Sequence, residues 1–430
     1  MNKVTKKSAP KKGKNSEKKS NKKINKTALI IILCCLVVAV GTGITVSLSI
    51  KKEKAKNLDV AFYKLSDLIK SELEKYITQS YDGKITFTDI SEEQFDARKI
   101  ARKYDLFFSW NGSAINKLDK YAAPLPEGIT SQMPTSLRKK AKKALPIILD
   151  HYEFDYYRKA MKDAELNFPQ NVVELESYLK KMRSYTFTPF FCAGGNDDTL
   201  LALIGGLVEA FGGAPSYNEL INNFIKRPSL AQTMDFELST SGKKQDSFTL
   251  RSILDMLRNW QEEGLMHPNW YRGTQVDVEA FMDVKQIAIL FTPLSVHRTM
   301  PYKNVTEMDV DRMPVFSFNM SHGVIAPSVV GVKLTEQDIF DDALYVFTDD
   351  ATQEALCMKI HLGPVNRNSR VYDRQSSDVR FIVAACAEGA LPPLGDAVFQ
   401  TNEAAKHKIA EEIRNYLKNG PTGVYKVTAK

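Results

Sequence analysis

Cysteine is scarce: five in 430 residues, with Cys34-Cys35 together in an apolar run and Cys192, Cys357 and Cys386 far apart. An odd, widely spaced trio builds no disulfide framework and lacks zinc-finger spacing, so it reads as three small buried side chains, with room for one disulfide at most. The six histidines (His151, His267, His297, His322, His361 and His407) nowhere fall at metal-ligand spacing. There is no Gly-x-Ser-x-Gly, no phosphate-cradling Walker loop and no His-Glu-x-x-His. Acidic pairs such as Asp341-Asp342 and Asp349-Asp350 flank predicted helix ends, where the helix dipole accounts for them. A glycosidase would need two carboxylates facing one cleft instead. Repeats are lacking, and low complexity is confined to the N-terminal tail. These absences argue for a protein that is no enzyme and carries neither a metal nor an organic cofactor.

Charge is lacking altogether between Lys26 and Lys51. Residues 29–40 (LIIILCCLVVAV) are almost purely aliphatic, and the whole 28–50 stretch is long enough for a helix across a hydrocarbon core of roughly 30 Å. Upstream, residues 3–26 hold eleven lysines against the single acid Glu17; downstream, Lys51, Lys52, Lys54 and Lys56 face only Glu53. The more positive flank stays in the cytoplasm. The expectation is a single-pass anchor in the cytoplasmic membrane, with 1–27 as a basic cytoplasmic tail and 51–430 facing the periplasm or cell exterior. Small residues at 39–43 would also suit a signal cleavage site, but the long lysine tail and spanning length favour retention. Too few apolar residues precede Cys34-Cys35, and too many follow, for a lipidated cysteine.

Subtracting the +13 of residues 1–56 from the formal +8 of the chain leaves −5 for the exported part. That mild acidity removes the electrostatic case for a nucleic-acid partner, and the basic run 138–143 (RKKAKK) reads as a solvated helix face. Some 370 exported residues exceed the comfortable size of one hydrophobic core, so two lobes are expected.

Along the chain, 58–63 (LDVAFY), 85–90 (ITFTDI) and 105–110 (DLFFSW) read as strands. The segments between them have helical periodicity, with Ser66 as a cap. Strand, helix, strand, helix, strand is a parallel α/β unit, whose ligands sit beyond the carboxyl ends of the strands. That points to Tyr63 and Lys64, and to Trp110 and Asn111. Residues 145–150 continue as a strand, 152–163 as a charged amphipathic helix, and 172–182 as a further helix. Strand 186–191 opens into the polar loop Asn196, Asp197, Asp198 before an apolar helix, 199–211, that ends at Gly212-Gly213. The loop residues either cap that helix or offer free side chains to a ligand. Helix 248–263, strand 286–291 ending at Thr292-Pro293-Leu294-Ser295, short strands 315–318 and 323–326 around His322, and helices 336–348, 352–360 and 404–417 complete the reading.

The order of these pieces resembles the extracellular solute-binding proteins of bacterial ABC transporters, the maltose-binding-protein-like group. The strand-loop-helix at 104–125 (YDLFFSWNGSAINKLDKYAAPL), the "YYRKAM" crossing near 156–179 and the strand-loop-helix at 188–213 closing on "GG" carry the likeness. So do the stretch 277–295, where Lys285 stands at the usual Gly-Lys pair, the segment 321–333, the turn 363–368 and the "EGALPP" loop at 388–393. The resemblance implies a two-lobed periplasmic-binding-protein-like fold, each lobe a mixed sheet flanked by helices. Lobe 1 would combine 57–148 with 316–365, and lobe 2 would combine 149–315 with 366–430. It also implies capture of a small solute, a sugar, by hinge closure and delivery to an ABC permease, or else a sensor or surface interaction protein on the same fold. Expected ligand contacts are Tyr63, Lys64, Trp110, Asn111, Asn196, Asp197, Asp198, Ser295, His322 and Phe399, with Trp110 facing the Asn196–Asp198 loop across the cleft. One departure stands out. Where several sugar binders end their "AM" strand in tryptophan, this chain has Thr292-Pro293-Leu294-Ser295. Of its three tryptophans, Trp260 reads as helix core and Trp270 as a packed loop residue.

Overall fold

The computed structural model describes residues 57–239, 247–316, 320–370 and 374–420. The basic tail and the apolar 28–50 stretch lie outside the described residues. Among the described residues one helix, Asp197–Lys226, is long and apolar enough to cross a membrane, and it is mostly buried as a core helix.

The chain opens with β1 (Leu58–Tyr63), β2 (Ile85–Ile90) and β3 (Leu106–Trp110), all parallel. Side-chain caps fix the helices between them. Ser66 accepts from Ile69 N at the start of Asp67–Ser80, and Asp96 accepts from Arg98 N and Lys99 N at the start of Ala97–Lys103. β4 (Ala144–Leu149) ends the first pass, and β5 (Tyr152–Tyr157) and β6 (Thr188–Cys192) begin a second body. A small hairpin, β7 (Glu237–Ser239) with β8 (Ser247–Thr249), is followed by β9 (Ile287–Pro293) and β10 (Met308–Asp311). Last come β11 (Val324–Ile325), β12 (Ser328–Lys333), β13 (Gly363–Pro364) and β14 (Ala390–Leu391).

Two main sheets result. The first runs β13-β4-β12-β3-β1-β2, with β12 antiparallel to both its neighbours; the second runs β10-β5-β9-β6. Each has its own core. Phe62, Phe108, Ile148 and Phe347 centre one cluster, and Phe154, Phe190, Leu203 and Trp260 centre the other. The chain passes between the two bodies three times, at 150–151, 326–327 and 392–393. These passages lie side by side: Asp150 N donates to Pro327 O (2.8 Å), Ala326 N to Leu391 O (2.8 Å), and β11 pairs with β14.

Several expectations are corrected. Residues 152–157 form a strand and only Arg158–Asp163 is helical. The alternation Tyr-Glu-Phe-Asp-Tyr looks like a charged amphipathic segment, yet every residue of β5 is buried, because Glu153 is held between His151 and His297 inside and Asp155 lies beside His297. Residues 315–316 are not in a strand, and 317–318 lie outside the described residues. The expected helix 336–348 breaks into the short turns Asp338–Phe340, Asp342–Tyr345 and Val346–Thr348. The apolar helix does not stop at Gly213. It kinks there, at φ 68°, and resumes with Pro215 in its first turn. Helix Arg374–Ala385 was not anticipated, and its Val379 and Val383 join the first core, not the second as the 366–430 assignment had it.

Candidate functional site

Strand direction fixes which edge of each sheet faces the crossings. β4 ends at Leu149, where the chain passes to the second body, and β4 runs parallel to β1, β2 and β3. Their carboxyl ends, at Tyr63, Ile90 and Trp110, therefore lie on the crossing side. β5 leaves that side, so antiparallel β9 and its parallel neighbour β6 return to it, bringing Pro293 and Cys192 there. The carboxyl edges of both sheets thus address one interlobe face, the region where α/β sheets bind ligands.

On the first lobe, Tyr63 is fully buried, stacks among Phe95 and Phe107, and donates its hydroxyl to Gln400 O (3.0 Å). That makes it a core residue. Burial, reinforced by the nearby charges of Glu92 and Glu403, raises its phenol far above the usual range. Lys64, at φ 52°, pairs with Glu92 (2.9 Å) and with Glu403 of the second lobe. Trp110 is half-buried against the first core, and its carbonyl accepts from Gln400 Nε2 (2.7 Å); Asn111 N donates to Ser328 O (2.7 Å).

On the second lobe, Asn196 caps its helix by accepting from Thr199 N (2.9 Å). Asp197 is held by Arg414 (2.7 Å) and His407 (2.9 Å), and Asp198 by Lys406 (2.8 Å). Burial would lower the Lys406 ammonium, but Asp198 and Glu403 raise it above its ordinary value. Ser295 N donates to Asp150 Oδ1 (3.2 Å) at the first crossing. Its neighbour Asp150 is pushed up to about 6 by burial. His322 is buried against Glu209 (3.1 Å), beside β11. Phe399 is buried edge-on to Phe224.

The two halves are not open to each other. Residues 394–400 form a wedge between them. Gln400 Oε1 accepts from Ala114 N (3.0 Å) while its Nε2 donates to Trp110 O and to Ser109 Oγ (3.2 Å). Gly112 is obligatory here, since a Cβ would sit 2.6 Å from Asp396 O. Gly395 likewise approaches Asp198, with a Cβ only 3.1 Å from its Oδ1. The wedge thus touches Trp110 through its carbonyl and Asp198 through Gly395. Asp396, in the wedge, is pushed up to about 7 by burial and by Asp198 nearby. Beside the wedge lies a groove of about 460 Å³ that touches both lobes. Ser113, Asn116 and Lys117 supply one wall, Ile225, Pro228 and Val398 the other, and Thr401 and Asn402 a polar rim. Of the expected contacts only Phe399 reaches this groove. The short helix Ser113–Leu118 and the rim at 401–402 had no distinguishing signal in the sequence beyond lying just past a strand end and between two helices.

No family model and no curated protein matches this chain. Solved structures do. The bacterial solute receptor AcbH, described as exclusive for β-D-galactopyranose, superposes at a TM-score of 0.68 with 11% identity, over 85% of this chain and 93% of its own. The binding protein MsmE of Bacillus subtilis subsp. subtilis str. 168, in an open conformation, gives 0.60 at 13% identity over 84% and 96%. A chitin oligosaccharide binding protein gives 0.55 at 15% identity over 86% and 99%. The fold is the periplasmic-binding-protein fold of sugar-binding solute receptors.

Proposed function

We propose that this chain is a membrane-anchored extracytoplasmic solute-binding protein that captures a small sugar by closing two lobes about a hinge and presents it to an ABC permease. The observation that carries the reading is the arrangement of three adjacent crossings between two sheets whose carboxyl edges share one face. Short crossings that lie side by side can absorb a rotation without breaking either core. A solute that touches both lobes is bound better in the closed form and shifts the population toward it. The groove suits a molecule with apolar C–H faces and a hydroxyl rim, since apolar Ile225, Pro228 and Val398 lie beside the amides of Asn116 and Asn402. The 28–50 stretch, as anchor, would hold the receptor near its permease and raise their effective concentration.

A second reading is favoured by one observation. The interlobe face is already bridged by Gln400 and by the Lys64–Glu403 pair, as in a protein whose closed form is its working surface. On that reading the fold serves a sensor or surface interaction protein uncoupled from transport.

The test is a thermal-shift screen of the full chain in detergent against mono- and oligosaccharides. A sugar at 100 times its dissociation constant stabilises the folded form by about 2.7 kcal/mol, enough to raise the melting temperature measurably. One sugar class giving a saturable shift supports the solute-binding reading. A panel without any shift would favour the second.

A further inference from the structure

The second lobe carries a cluster that neither the fold nor the proposed function accounts for. β5 alternates its side chains, so Glu153 and Asp155 leave the same face of the sheet. The short helix Leu294–His297, directly after β9, brings His297 over that face. His297 Nδ1 lies 2.5 Å from Glu153 Oε1 and 3.3 Å from Asp155 Oδ1. His151 Nε2 lies 2.5 Å from the other Glu153 oxygen. None of Glu153, Asp155 and His297 is exposed to solvent at all, and His151 is 1% exposed.

We propose that Glu153, Asp155 and His297 form a binding site for a divalent transition-metal ion, zinc by the chemistry of the donors. One ligand atom from each of the three lies within 4.8 Å of the others. A tetrahedral zinc with bonds of about 2.0–2.2 Å spaces its ligands roughly 3.3–3.6 Å apart. His297 and Asp155 already stand at 3.3 Å, whereas His297 and Glu153, at 2.5 Å, must part by about 1 Å. Asp155 supplies an independent sign of an under-filled site: its imidazole neighbour, His297 Nδ1, is 3.3 Å from Oδ1 but 2.5 Å from Glu153. Both its carboxylate oxygens are buried without a hydrogen bond, an arrangement that is costly unless a charge or donor fills it. Without an ion the carboxylates, against the effect of burial, hold both imidazoles above their ordinary range, so His151 and His297 supply the balancing charge; a divalent ion bound to a neutral His297 would supply it in their place. An imidazole nitrogen with two carboxylate oxygens is a zinc-type set, whereas calcium and magnesium ask for about six or more oxygens. His151 would act as a positioning residue, holding Glu153 by its far oxygen. His151, Glu153 and Asp155 are sequence neighbours, but His297 lies over 140 residues away, so sequence spacing gave no sign of a metal. The inference does not depend on the solute-binding reading, because the cluster is buried within one lobe and apart from the groove.

The experiment uses the full chain, purified without chelators and loaded with Zn2+ or Co2+. The site predicts about one equivalent of zinc retained through desalting. It also predicts a cobalt absorption spectrum of four- or five-coordinate strength, with X-ray absorption showing an N/O-only shell that includes one imidazole. Asp155→Asn, nearly isosteric, should weaken zinc binding at least about tenfold. Equal zinc retention by the native chain and this variant would overturn the proposal. Should the variant fail to fold, the native cobalt spectrum decides: a weak six-coordinate spectrum, or no retained cobalt, overturns it and leaves the cluster an imidazolium–carboxylate network.

Discussion

Gln400 joins the lobes with both side-chain polar atoms engaged, to Ala114 N, Trp110 O and Ser109 Oγ, and it is 1% exposed. Truncation leaves a buried N–H on Ala114 without a partner, which costs roughly 1–3 kcal/mol. Gln400→Ala should therefore lower the melting temperature and enlarge the ligand-free radius of gyration by small-angle scattering. An unchanged melting temperature would mean that the wedge is not a latch. Nothing in the sequence marks this glutamine, because its partners lie 286–291 residues away. The same limit explains other residue expectations. Tyr63 stands at a strand end, as read, but its ring is spent in a core formed by Phe95 and Phe107. Asn196 capped its helix, the alternative that the sequence left open.

Elements were legible wherever apolar runs were bounded by caps. The first three strands match the sequence reading to within a residue and Ser66 announces the first helix, whereas the second helix starts only at Ala97, on an Asp96 cap that the sequence reading did not mark. β5 was not legible, since its burial depends on histidines supplied by the crossing and by another element. The long helix was read only as far as its Gly-Gly, for a comparable reason. Gly213 adopts φ 68° so that the chain can turn and continue, and a Cβ there would lie 2.7 Å from Ser321 O. Within an ordinary helix, glycine to alanine stabilises by up to about 1 kcal/mol. Here Gly213→Ala should destabilise, by roughly 2 kcal/mol, from the left-handed backbone and the close carbonyl together. Urea denaturation reads the sign directly, and a stabilised variant would refute the kink.

At the scale of the whole molecule, the sequence order of strands and loops carried the architecture, since each degenerate segment resembled its counterpart and the segments kept their order. It did not carry the wedge at 394–400, which is a consequence of how the last helices dock across two lobes. The central claim is that a solute closes these lobes about their three crossings. Its direct measurement is single-molecule energy transfer between dyes on Lys99→Cys, in exposed helix Ala97–Lys103 of the first lobe, and Lys180→Cys, in helix Val172–Met182 of the second. The native cysteines among the described residues are buried and should resist labelling. With the sugar class found by thermal shift, the account predicts two transfer states whose balance moves to the higher-efficiency state as sugar saturates. A saturable thermal shift with one unchanging transfer state would contradict it.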